Sequence, residues 1–152
     1  MPPPPSATTI HGVFATAVPR YVITGDRMRE PLRNVMRPGV VVIAEDASVA
    51  QAQRALLAHH VHAVLVIERT GRPLGWATTT GLLGFVERDV VSLSAREAVS
   101  EHASTLEPWR PVRDALQAMR HEGVSRILVA SSAGRLPEGV VSELDLLALL
   151  TR

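Results

Sequence analysis

A shift of 63 residues lays "VAQAQRALLAHHVHAVLVIERTGR" (49–72) over "VRDALQAMRHEGVSRILVASSAGR" (112–135), and this internal repeat limits the possible folds more than any other feature of the chain. Val49, Ala52, Ala55, Val61, Leu65, Val66, Gly71 and Arg72 meet Val112, Ala115, Ala118, Val124, Leu128, Val129, Gly134 and Arg135. One inserted residue then brings "GWATTTGLL" (75–83) over "GVVSELDLL" (139–147). The period is too long for a solenoid and occurs only twice, so it predicts two like halves about a pseudo-twofold axis.

Each copy carries the same order of signals. A short apolar strand, "VVVI" or the poorer "STL", leads into a helix whose apolar face is Val49, Ala52 and Leu56, or Val112, Ala115, Leu116 and Met119. Asp46 or Ser48 is placed to cap the first helix, and Pro111 suits the first turn of the second. Gly123 offers a left-handed stop, a task its counterpart His60 performs less easily. A β-rich run follows, then a Gly-containing turn ("ERTGRP" or "SSAGRLP") into a second strand, as in a hairpin. A closing helix, "GLLGFVERD" or "ELDLLALL", ends the unit. The fold expected is α+β: two tandem β-α-β-β-α repeats, one over 29–86 and one over 87–152, forming a single compact module after an N-terminal tail and docking segment (1–28).

Composition removes several classes of function. The chain has 152 residues, 46% of them hydrophobic, enough to bury a core without a metal or disulfide staple. No Cys is present, which excludes thiolate zinc sites and a cysteine nucleophile. All sixteen basic residues are Arg, interleaved with fifteen acids, so no basic stripe forms to track a phosphate backbone and nucleic acid is not an expected partner. Apolar runs such as "VHAVLVI" reach strand length only, far short of the ~20 residues that span a bilayer, and "MPPPPSATT" lacks the basic and apolar regions of a secretory signal. A cytoplasmic location without membrane contact is expected. Neither a nucleophile-elbow sequence nor a pair of acid/base carboxylates is present, so the chain reads as a non-enzyme.

The order of elements, the "AL..M...GVSRILV" stretch (115–129), the "GVVSELDLL" ending and the lead-in "PLRNVM" (31–36) together resemble a cystathionine-β-synthase (CBS) domain pair, also called a Bateman module. The resemblance covers roughly residues 30 to 150. It implies clefts between the halves that take adenosine-containing ligands (AMP, ADP, ATP or S-adenosylmethionine), with no cofactor and no catalysis. Each such cleft uses a Gly-apolar-x-Ser/Thr-x-x-Asp ending from one repeat and the first strand of the other. Carried over, it assigns Ser142 to phosphate, Asp145 to the ribose hydroxyls, Arg126 beside Ser125 to phosphate, and Met36, Val40 and Val41 to the adenine. The other cleft departs from the pattern: Thr78 keeps the hydroxyl, Gly81 replaces the Asp, Ala63 replaces the Arg, and His62 stands opposite Ser125. Weak or no nucleotide binding, or a different ligand, is expected there, and Gly81→Asp is expected to create or strengthen binding provided the Gly is not needed for a positive backbone angle.

Plainer readings stand beside these. Ser142 and Asp145 have capping-box spacing, as do Ser94 with Glu97 and Ser104 with Glu107, so spacing alone does not separate a cap from a ligand site. Arg126 fits a surface salt bridge equally well. His59, His60 and His62 fall on different faces with no Cys or paired carboxylate nearby, which predicts polar packing and no metal. Trp76 and Trp109 suit core or interface anchors better than base stacking. The apolar stretch "IHGVFATAVPRYVITGD" (10–26) either covers its own module or joins a homodimer interface. Two functions therefore remain open: an adenosine-nucleotide-sensing regulator acting on an unknown partner protein, and a ligand-independent dimerisation scaffold.

Overall fold

A computed structural model describes the backbone of residues 10–11 together with residues 26–131 and 137–151. The described residues fall into two compact units, one of 41–103 with the strand Ile10–His11, the other of 26–40 with 104–151.

The first unit is a four-stranded sheet in the order β1 (Ile10–His11), β3 (Val41–Ala44), β4 (Ala63–Ile67), β5 (Pro73–Thr78). Between β3 and its parallel neighbour β4 runs α1 (Val49–His59), as a parallel crossover requires. Ser48 and Gln51 close a capping box at its start, with Ser48 N donating to Gln51 Oε1 at 2.8 Å and Gln51 N to Ser48 Oγ at 3.1 Å. His60 ends the helix in the left-handed region, at φ 53°. A turn through Gly71, at φ 91°, returns β5 antiparallel to β4. The core holds Ile43, Val49, Ala52, Leu56, Val64, Val66, Ala77 and Leu82.

The second unit repeats the three-stranded core but adds its fourth strand at the other edge, in the order β2 (Arg37–Pro38), β8 (Gly139–Ser142), β7 (Arg126–Val129), β6 (Ser104–Leu106). Its crossover helix is α3 (Val112–Glu122), and α4 (Glu143–Leu150) follows β8. Val112, Ala115 and Met119 point into the core with Ile127, Val141, Leu146 and Leu149, while Leu116 is partly buried against them. Gly123 stops α3 at φ 66°.

Three sequence expectations change in detail. Pro111 is the N-cap residue of α3 and stands just outside its first turn. The closing helix of the first repeat, expected from Gly81 onward, is α2 (Thr79–Leu83): Thr78 caps it two residues earlier, and Gly84 follows its last turn where a longer helix was expected. Of the three Ser-x-x-acid matches, Ser94–Glu97 and Ser142–Asp145 close as capping boxes, whereas Ser104 is buried in β6 and donates to Glu122. The "SSAGRLP" turn and most of the apolar 10–26 stretch lie outside the described residues.

The division into units follows core packing and cuts across the repeats. The lead-in of the first repeat is built into the unit of the second: Leu32 is fully buried among Val112, Ala115 and Met119, and its N–H donates to Arg110 O at 2.8 Å. Conversely the lead-in of the second repeat closes the first unit, where Ala95 and Ala98 are buried beside Val49 and Ala52 and Ala95 N donates to Ala47 O at 2.6 Å. Each core thus lacks an apolar layer that its own repeat does not supply.

Candidate functional site

Exchange of the lead-ins brings most of the sequence-selected residues into the second unit. β2 pairs antiparallel with β8, Arg37 opposite Val140 and Pro38 opposite Gly139. The approach is close enough that a Cβ on Gly139 would stand 2.5 Å from Arg37 O and 2.8 Å from Met36 Sδ, so only glycine fits. Met36 is thereby held against the start of β8, and Arg126 on β7 lies in register with Ser142 on β8. Ser125 O accepts from Glu143 N at 2.9 Å, tying the entrance of β7 to the first turn of α4. Val40 is buried in this unit. Gly39, at φ 85°, turns the chain away after β2, so that Val41 opens β3 and packs against the core of the first unit.

Ser142 and Asp145 form a reciprocal cap on α4. Asp145 N donates to Ser142 Oγ at 3.1 Å and Ser142 N to Asp145 Oδ2 at 2.9 Å. The capping reading is therefore correct, and it uses only one carboxylate oxygen. Asp145 Oδ1 accepts from Arg37 Nε at 2.8 Å; the Asp145 side chain is 12% exposed and that of Arg37 72%. An ion pair so open on its cationic side contributes about 0–1 kcal/mol. Sequence reasoning missed Arg37, although it lies one residue beyond Met36. Only the β2–β8 pairing, which crosses more than a hundred positions of sequence, brings it to Asp145.

The corresponding place in the first unit is filled. Thr78 caps α2, accepting from Gly81 N at 3.1 Å, and its Oγ1 stands 3.2 Å from Ser100 Oγ. A Cβ on Gly81 would lie 2.7 Å from Ser100 Oγ and 3.1 Å from Ser100 Cβ. His62 O accepts from both Thr79 N and Thr79 Oγ1, at 2.9 and 3.0 Å, so the entrance of β4 is tied to α2 as Ser125 ties β7 to α4. Ser100 is the second residue missed, and it occupies the space an Asp at 81 would need.

Trp76 is buried, as expected of a core anchor, while Trp109 is exposed. Among the described residues no cluster of His, Asp or Glu is placed to hold a metal ion, and no helix is long and apolar enough to cross a membrane. A groove of about 640 Å³ opens on the first unit between α1 and α2, lined by Leu56, Leu57, Val61, Leu82, Leu83 and Val86 among others.

Two α+β units, each a β-α-β-β-α repeat completed by the lead-in of the other repeat, define a tandem module of one structural class. The chain belongs to the CBS-domain family, whose family model matches residues 32–88 and again 88–152. It is similar to the solved structure of a CBS domain protein from Pyrobaculum aerophilum complexed with AMP, at 22% identity and a TM-score of 0.66, over 81% of this chain and 100% of that one. A CBS-domain containing protein from Agrobacterium tumefaciens matches at 20% identity and a TM-score of 0.68, over 85% and 99% of the two chains. The CBS domain of the bacterial CNNM/CorC family Mg2+ transporter in complex with ATP matches at 19% identity and a TM-score of 0.70, over 82% and 89%. No curated protein sequence matches the chain.

Proposed function

We propose that the chain is a regulatory module that binds an adenine nucleotide at the Ser142–Asp145 end of its second unit and acts on a partner protein without catalysing a reaction. The observation that carries this reading is the convergence of Met36, Ser125, Arg126, Ser142 and Asp145 in one unit, around the N-terminus of the eight-residue helix α4. Backbone N–H groups at a helix start favour anions, and a carboxylate accepts hydrogen bonds from vicinal hydroxyls. Support also comes from the solved relatives described with AMP and with ATP. In this reading Ser142 and Arg126 face phosphate, Asp145 faces the ribose, and Met36 and Val40 flank the base. The Thr78–Gly81 end lacks the carboxylate, and Ser100 Oγ stands beside Thr78 Oγ1 there, which supports weak or no nucleotide binding at that end.

Calorimetric titration with AMP, ADP, ATP and S-adenosylmethionine tests the reading. At least one is expected to bind, and Asp145→Ala to weaken it roughly ten- to a hundred-fold, the loss of a hydrogen bond to a charged group. The same substitution removes the return half of the capping box, and melting should report a loss of about 0.5–1 kcal/mol. Binding of none of the four rejects the nucleotide reading. The second reading, a ligand-independent scaffold, is favoured by one observation: both carboxylate oxygens of Asp145 already accept hydrogen bonds, one from Ser142 N and one from Arg37.

A further inference from the structure

We propose that Arg37 is a displaceable counter-ion of Asp145 and that it makes the site select anionic ligands over neutral ones; the proposal rests on the nucleotide reading above. The two carboxylate oxygens of Asp145 have unequal freedom. Oδ2 holds Ser142 N at 2.9 Å, and surrendering it would break the return half of the capping box and leave that N–H without its partner. Among the described residues Oδ1 holds the Arg37 side chain alone, at 2.8 Å. A ligand hydroxyl that uses Asp145 must therefore share or take Oδ1.

Arg37 is built to yield. Its backbone is pinned by β2–β8 pairing and by the close approach over Gly139, yet its side chain is 72% exposed and, among the described residues, engages through Nε alone. The guanidinium can swing about a fixed pivot while its remaining N–H groups stay available to a phosphate in forked geometry. A neutral nucleoside would displace the cation and return nothing to it. A nucleoside phosphate would take the carboxylate and give the guanidinium a new anion a few ångströms away.

The first repeat offers an internal comparison. Glu101 is the counterpart of Arg37, since a Cβ on Gly75 would meet Glu101 O at 2.6 Å as one on Gly139 would meet Arg37 O at 2.5 Å. There the Asp145 position is Gly81, so where the carboxylate is absent its cation is absent too.

The test is calorimetry of the full chain with AMP and with adenosine, on wild type, Arg37→Ala and Arg37→Lys, with melting curves for each. Wild type should prefer AMP. Arg37→Ala should lose roughly ten-fold in AMP affinity while adenosine holds or tightens by up to about five-fold, so the preference collapses; Arg37→Lys should keep part of it. An AMP-to-adenosine ratio unchanged in Arg37→Ala overturns the proposal, as does an equal fall for both ligands, which would mark Arg37 as a support of the fold. If wild type binds neither compound, the nucleotide reading itself fails and takes the proposal with it, a result distinct from an unchanged ratio.

Discussion

At the scale of single residues, Gly81 and Asp145 show how one position of a repeat can serve opposite ends. Asp145 reaches back to Ser142 N and still offers an oxygen to Arg37, whereas Gly81 leaves room that Ser100 has taken, donating or accepting at Thr78 Oγ1. Supplying the missing carboxylate by Gly81→Asp therefore also requires Ser100 to move. The new side chain meets Ser100 at 2.7 Å, and the expected outcome is a stability loss of about 1–3 kcal/mol with no gain in nucleotide binding. Combining it with Ser100→Gly should recover most of that loss in thermal or chemical melting. An undiminished melting temperature for Gly81→Asp alone would show that Ser100 moves aside freely. The sequence pattern identified the missing Asp; the hydroxyl that replaced it came from a segment nineteen positions on, with no local signal.

The helices show where local chemistry suffices at the scale of elements. α1 and α3 each span eleven residues, begin 63 apart and end on a left-handed residue, as the repeat and the stop signals require. The residues that follow them differ in cost: Gly123 adopts φ 66° without penalty, while His60 at φ 53° carries a Cβ into a region that disfavours it. His60→Gly is expected to stabilise the fold by up to about 1 kcal/mol and Gly123→Ala to destabilise it by about 1–2 kcal/mol, both read from urea midpoints at constant m-value. Equal and opposite shifts would tie the difference to backbone conformation; a destabilising His60→Gly would mean that the imidazole contributes more than its backbone costs. α2 was less legible, because Gly81 and Gly84 weaken helical periodicity and the cap at Thr78 precedes the apolar residues that mark a helix.

At the scale of the whole molecule, the open question is what covers the apolar surface of the first unit. Leu57, Leu83 and Val86 are 75%, 63% and 66% exposed beside the groove between α1 and α2, and Leu144 and Leu147 of α4 are exposed on the second unit. We propose a homodimer that buries these helices. Light scattering should report it, and Leu57→Glu with Leu83→Glu should shift it to monomer while leaving the melting of the exposed sites nearly unchanged. A wild-type monomer at high concentration, indifferent to removal of residues 1–26, would refute the association. Sequence by itself determined the repeat, its α+β order, the helix faces and caps, and the family, because each of these is written in contacts between near neighbours or in a period along the chain. Only the tertiary structure decided which lead-in completes which core: burial of Leu32 in one unit and of Ala95 and Ala98 in the other depends on apolar surface that distant residues leave uncovered. From that exchange follow the Arg37–Asp145 pair and the Ser100 plug, since side chains from segments so far apart meet only after both cores have closed.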